Sequence, residues 1–416
     1  MTEPWPHVEL IEVCESVVDC VNKTAPLAGE ATPYRMLRTT NVRNGYVDTA
    51  NCRFVTREVY EKWTRRQVPR RGDVILTREA PLGEVGMLRD DETVFLGQRL
   101  MSYRADPSKL DANFLLYSLM GPELQAQIRA TGSGSTVEHM RVPDAERLKI
   151  RLPDLSTQRR IGEILASYDE LFLNNQRRSV ILEDMARRLF DEWFVRFRYP
   201  GHEAVSLVET ELGMVPEGWQ PRKLSWWADD IRDTIDPQQV APLVAYVGLE
   251  HLPRRSTTLV EVGRAQDVTS SKLMFEAGDI LFGKIRPYFH KVAHMPFSGV
   301  CSTDAICIRA AVPKHTALIL GLVSSDSFVA HAVATSNGTK MPRADWKVLK
   351  NYPLPEPPEP LLSAYERSVV PMMRGATNLA AQNVRLRTAR DLLLPKLISG
   401  EIDVSAAQET FAEAAE

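Results

Sequence analysis

A chain of 416 residues is too long for one ordinary hydrophobic core and suits two domains with connecting structure. Hydrophobic residues at 44% and charged residues at 25% fit a globular protein and exclude disorder over most of the length. The net charge of −3 does not announce a nucleic-acid binder. No apolar run approaches the ~20 residues that span a bilayer, and the opening M-T-E-P-W-P-H-V-E-L lacks the basic start and apolar stretch of a secretory signal. The five cysteines (Cys14, Cys20, Cys52, Cys301, Cys307) are scattered, with no C-x-x-C pair, so neither a disulfide framework nor a zinc site is expected. These features point to a cytoplasmic protein.

Read in chain order, the sequence repeats itself. W-P-H-V-E-L at Trp5–Leu10 answers W-Q-P-R-K-L at Trp219–Leu224. R-G-D-V-I-L at Arg71–Leu76 answers A-G-D-I-L-F at Ala277–Phe282, each reading as a G-D turn and a short buried strand. Apolar helices are expected at Asp111–Met120 and Thr316–Val323. The polar T-G-S-G-S-T at 131–136 answers T-S-N-G-T-K at 335–340, and R-L-P at 151–153 answers P-L-P at 353–355. The offset falls from 214 to 202 with the order kept, which chance explains poorly.

Each half then ends in a helix-forming stretch. Thr157–Phe197 has no proline and one glycine, Gly162, with apolar residues at Ile161, Ile164, Tyr168, Leu171, Leu182, Met185 and Leu189. Asn175 and Arg178 stand in the same register at its centre. Shifted by 204, that register gives Tyr365, Ser368, Met372, Gly375, Leu379, Gln382, Leu386, Ala389 and Leu393. Small or polar residues in the second copy often match large ones in the first, as two helices packed on each other require. About forty residues make a helix roughly 60 Å long, suited to separating two domains. Two amphipathic helices, each buried on its own domain, are the competing explanation. The expected fold is α+β: two pseudo-repeated globular domains at 1–153 and 201–355, long helices at 154–200 and 356–403, and an acidic tail at 404–416 read as disordered.

Catalytic signatures are missing together. There is no G-x-x-x-x-G-K-[ST], no G-x-G-x-x-G and no H-E-x-x-H, and the eight histidines show no metal-ligand spacing. What remains suits binding. Arg35–Arg78 carries eleven Lys or Arg against four acids, and Arg254–Lys347 twelve against seven. Local patches matter more than the total because phosphate attraction fades within roughly 8–10 Å. Arg and Lys with Gln, Asn, Ser and Thr on loops hold phosphates and read base edges. The candidate DNA-contacting residues are Arg78, Gln98, Arg99, Ser135, Thr136, Lys284, Arg286, His290, Lys291, Thr303, Asn337 and Lys340. A surface ion pair or a turn competes with DNA contact at each. Tyr288 and Phe289 are expected to face the core, and Trp193 and Phe194 to seal a helix–domain junction.

L-P-D-L-S-T-Q-R-R-I-G-E-I-L-A-S-Y-D-E-L at 152–171, with L-E-D-M-A-R-R-L-F-D-E-W-F-V-R-F at 182–197, resembles the central conserved region of type I restriction enzyme specificity subunits. L-R-T-A-R-D-L-L-L-P-K-L-I-S-G-E-I at 386–402 is similar to their distal conserved region, and G-D-I-L-F-G-K-I-R-P and S-G-V-C-S-T-D-A to their recognition domains. The resemblance covers almost the whole chain. It implies two recognition domains held by an antiparallel pair of long helices, each reading half of a split double-stranded DNA target about one duplex turn, roughly 34 Å, from the other. It also implies no catalysis by this chain. The implied partners are two modification subunits, which carry S-adenosylmethionine, and restriction subunits, which use ATP and magnesium. The family's P-L-x-E-Q before each long helix is altered here: Gln158 follows P-D-L-S-T, and P-E-P-P-E-P in the second copy has no glutamine. A non-catalytic scaffold with two protein-binding heads is the alternative.

Overall fold

The computed structural model describes residues 5–132, 138–211, 213–338 and 340–404. The chain forms two compact units. One runs to Glu170 and resumes at Leu386; the other is Leu171–Arg385. Among the described residues no single helix is long and apolar enough to cross a membrane.

In the first unit a six-stranded sheet begins in the order Cys14–Asp19, Leu100–Ala105, Val74–Arg78, Leu82–Met87. A smaller sheet pairs Arg35–Leu37 parallel to Val94–Leu96 and antiparallel to Arg53–Phe54. The second unit repeats both. Its sheet runs Ala228–Asp230, Ala305–Ala310, Ile280–Gly283, Val292–His294, and Ala245–Val247 lies parallel to Val300–Cys301 and antiparallel to Gly263–Arg264. The expected strands are thus Val74–Arg78 and Ile280–Gly283, both wholly buried, which is why they read as continuous apolar runs. The expected helices are Ala112–Met120, capped by Asp111, and Thr316–Val323.

The G-D turns have a physical reason. Gly72 and Gly278 take φ of +89° and +100°, which favours glycine. Asp73 and Asp279 follow, buried at 0% and 1% exposure. Each is gripped by a forked guanidinium: Arg104 at 2.7 and 2.8 Å, and Arg309 at 2.8 Å twice. Each aspartate also accepts a turn amide, from Arg70 and from Glu276.

The long helices span Leu155–Phe190 and Glu359–Ile398. Asp154 starts the first, accepting from the Ser156 hydroxyl (2.5 Å) and from the Thr157 hydroxyl (2.7 Å) and amide (3.0 Å), and those bonds lower its pKa to about 2. Gln158 is buried beside it, accepting from the Asp111 amide and donating to the carbonyls of Lys109 and Pro153. Within the second unit the helices run antiparallel: the Asn383 amide donates to the Phe172 carbonyl, Asn175 to Gln382, and Phe190 packs on Tyr365. A Cβ on Gly375 would stand 3.0 Å from Leu182, whereas the shift by 204 matches Gly375 to Leu171, which is exposed. Within the first unit, buried Arg390 binds buried Asp169 at 2.6 Å, and the Tyr117 hydroxyl donates to the same carboxylate.

The seam of the first helix differs from the expected one at three of its nine positions. The row Ile161, Tyr168, Asn175, Leu182, Leu189 is buried or half-buried, but Leu171, Arg178 and Met185 are exposed. Leu165, Phe172, Ser179 and Ala186 turn inward instead. The second helix makes the same one-residue step, burying Val369, Ala376, Asn383 and Arg390. Steps of three-then-four and four-then-three share a period of 3.5, so spacing alone does not choose between them. Beyond Phe190, Trp193 and Phe194 pack against Tyr365, and Phe194 against Trp219, which is the expected junction.

Candidate nucleic-acid interface

The strand after each G-D turn leaves its sheet into the same loop frame. In the first unit the Arg78 amide donates to the Arg99 carbonyl (2.8 Å), the Met140 amide donates to the Arg78 carbonyl (3.0 Å), and Glu79 bridges antiparallel to His139. In the second the Lys284 amide donates to Asp304 (2.9 Å), the Ala344 amide to Lys284 (2.9 Å), and Ile285 bridges antiparallel to Arg343. Arg78 therefore stands where Lys284 does, Gln98–Arg99 where Thr303–Asp304 do, and His139 where Arg343 does. Ala80 and Arg286 both take φ of 51° just before a proline. Left-handed non-glycine residues are uncommon, so the shared φ is a backbone feature kept twice, although the peptide bond to the proline is cis only at Ala80–Pro81 among the described residues.

In the first unit Gln98 and Arg99 are exposed on the turn before the strand Leu100–Ala105. Arg99 lies 3.2 Å from Glu79, which also faces His139 at 3.5 Å, and Gln98 accepts from the Thr24 hydroxyl. Arg78 corrects an expectation. It is buried, and its guanidinium donates to the Met140 carbonyl, so it fixes the frame from inside rather than meeting phosphate. Ser135 and Thr136 lie outside the described residues. Acids answer much of the local positive charge: Arg35, Arg57, Arg66 and Arg70 pair with Glu92, Glu61, Asp19 and Glu15.

In the second unit the Lys284 ammonium donates to the Thr303 carbonyl at 3.1 Å, with the Thr303 side chain exposed. Asn337 and Arg343 exchange both backbone hydrogen bonds, and the Arg286 amide donates to Pro342. Lys284, Arg286, Thr303 and Asn337 are thus gathered on one frame, and Lys340 is exposed. His290 and Lys291 are corrected. His290 is buried with Nε2 on the Ser324 carbonyl (2.8 Å), and Lys291 donates to the Leu249 carbonyl, its pKa lowered by burial and then by Arg254. Both fasten the base of the loop. Tyr288 departs from expectation the other way: it is 51% exposed, at the tip of a turn rather than in the core.

Known proteins resemble the chain over most of its length. Residues 2–183 match the family model described as the type I restriction modification DNA specificity domain. These matches support a type I restriction–modification specificity subunit. The chain is 23% identical over 365 residues to the type I restriction enzyme MjaIX specificity subunit of Methanocaldococcus jannaschii, covering 85% of the chain and 82% of the relative. It is 26% identical over 330 residues to the EcoDI specificity subunit of Escherichia coli, covering 72% of each. Its fold is similar to a solved type I restriction–modification S subunit from M. genitalium, with a TM-score of 0.58 at 13% identity over 95% of this chain and 97% of that one.

Reading the chain by sequence missed the residues that hold the frame. Arg104 and Arg309, in Y-R-A and I-R-A at an offset of 205, were a visible fifth repeat. His139 and Arg343 were not visible, because the bridges that align them are set by the fold. Among the described residues no group of three or more His, Cys, Asp or Glu gathers as a metal site.

Proposed function

We propose that the chain reads a two-part double-stranded DNA target and brings modification and restriction subunits to it. The recognition domains are 1–153 and 201–355, each taking one half of the target. The long helices, 154–200 and 356–403, join them, and 404–416 is an acidic tail. Two modification subunits dock on the chain and supply S-adenosylmethionine, while the restriction subunits supply ATP and magnesium chemistry in the cytoplasm. The chain has no catalytic site of its own.

One observation carries this reading: the same loop frame occurs twice with unlike side chains, Gln98–Arg99 and His139 on one, Thr303–Asp304 and Arg343 on the other. Base edges are told apart by the side chains presented to them, so one frame with two side-chain sets suits two different half-sites. The test is to assemble the chain with its modification subunits and map methylation across a sequence-diverse DNA. Methylation confined to one two-part motif is expected; methylation without sequence preference would sink the reading.

A further inference from the structure

The loop leaving the frame differs sharply between the units. In the first, three residues (Glu79, Ala80, Pro81) connect the strand Val74–Arg78 to Leu82–Met87. In the second, Lys284–Lys291 connects Ile280–Gly283 to Val292–His294, and the added residues form a projecting turn. That turn is held rigidly at both ends. Arg286 and His290 both sit in the left-handed region (φ 51° and 52°), Pro287 is buried, the Arg286 amide donates to Pro342, and the Arg255 amide donates to His290. Strained non-glycine residues persist where the surroundings over-determine them, and they cluster at functional sites.

Tyr288 is displayed at the tip, half exposed, with its ring against Phe289 at 4.8 Å between centroids. The Arg254 guanidinium stacks on the Phe289 ring at 4.2 Å. A guanidinium held flat on an aromatic face keeps its donors free and loses little freedom on meeting a phosphate. Exposed Lys340 and Met341 precede Pro342, whose carbonyl accepts from the Arg286 amide. The nearby acid, Asp326, lies 3.2 Å from Arg255 and 3.5 Å from His290. A rigid tip carrying an aromatic ring among cations fits nucleic acid.

We propose that the Arg286–His290 turn is a DNA-contacting tip peculiar to the second unit, with Tyr288 meeting bases of one half-site and Arg254 holding a neighbouring phosphate. The inference rests on the two-part reading above. The test uses the full chain assembled with its modification subunits and a randomised duplex pool, sequencing the bound DNA. Tyr288→Ala is expected to lower affinity roughly ten-fold and to erase sequence information from one part of the enriched motif only. Arg254→Ala is expected to keep the motif, weaken binding to all sequences alike, and reduce the slope of log affinity on log salt by about 0.9. Tyr288→Phe, which keeps the ring, should retain more of the motif than Tyr288→Ala. Wild-type affinity and motif in both alanine variants would overturn the tip, as would loss of both motif parts together. Wild-type protein that enriches no motif would instead overturn the half-site reading, and the tip with it.

Discussion

The two units solve the same local problem with different residues. The helix Ala112–Met120 is capped by its own Asp111, whose Oδ1 accepts from the Phe114 amide at 2.9 Å. The first long helix comes close there only because residue 162 is glycine; a Cβ would lie 2.7 Å from that carboxylate oxygen. In the second unit the cap position of Thr316–Val323 is His315, which makes no side-chain cap bond. Glu366 of the second long helix, 204 residues after Gly162, reaches the Leu318 amide instead at 3.1 Å. The unpaired amides at a helix start must be met by something. Duplication kept that demand and moved the residue that meets it from the helix itself to its neighbour.

Other contacts did not move, and they set the largest expected effect. Asp73–Arg104 and Asp279–Arg309 are the same forked pair in both units, but the guanidiniums are 16% and 33% exposed. Arg104→Ala strands a fully buried carboxylate and is expected to cost about 3–5 kcal/mol in chemical denaturation. Arg309→Ala should cost clearly less, since water reaches its site. Equal losses would show that burial of the guanidinium does not separate the two units.

The moved cap gives the next effect, and it depends on pH. Burial pushes the Glu366 carboxyl up to about 7, opposed by the amides of Leu318 and Ala317. A carboxyl with a folded pKa above its ordinary 4.5 holds its proton longer in the folded state. Its contribution is therefore full below about 4.5 and is lost as pH rises toward 7, by at most about 3 kcal/mol. His294 and His315, held below the ordinary histidine value by burial, act in the opposite sense. The clean readout is the difference between wild type and Glu366→Gln, which keeps the acceptor oxygen. That difference should shrink below pH 5 and grow toward pH 8 in favour of the variant; a pH-independent difference would remove the titrating cap.

How much of this was legible follows from the range of the forces involved. Val74–Arg78, Thr316–Val323 and the long helices were visible because strand runs and 3.5-residue periodicity are local patterns. The inward step of the seam was not, because Asn175, Asn383 and Arg390 are buried by partners more than 200 residues away. The candidate site split the same way. Gln98, Arg99, Lys284 and Thr303 lie on the frame because turns expose polar residues. Arg78 and His290 are polar as well, yet carbonyls of Met140 and Ser324 draw them inside. Chemistry of a side chain is written in the sequence; which way it faces is decided by backbone groups far along the chain.

The most delicate comparison is between the exposed side chains at matching places on the two frames. Gln98 and Thr303 occupy equivalent positions, both exposed. Gln presents an amide that can both donate to and accept from a base edge, whereas Thr presents a single hydroxyl and a methyl. Gln98→Ala should therefore cost about 1–3 kcal/mol of discrimination at one base position, and Thr303→Ala toward the lower end of that range at another. Binding to duplexes carrying single base changes measures both. The two effects should fall in different parts of the target and add, because residues on separate frames share no partner. Effects at the same base position, or strong non-additivity, would mean that the two frames do not read separate half-sites.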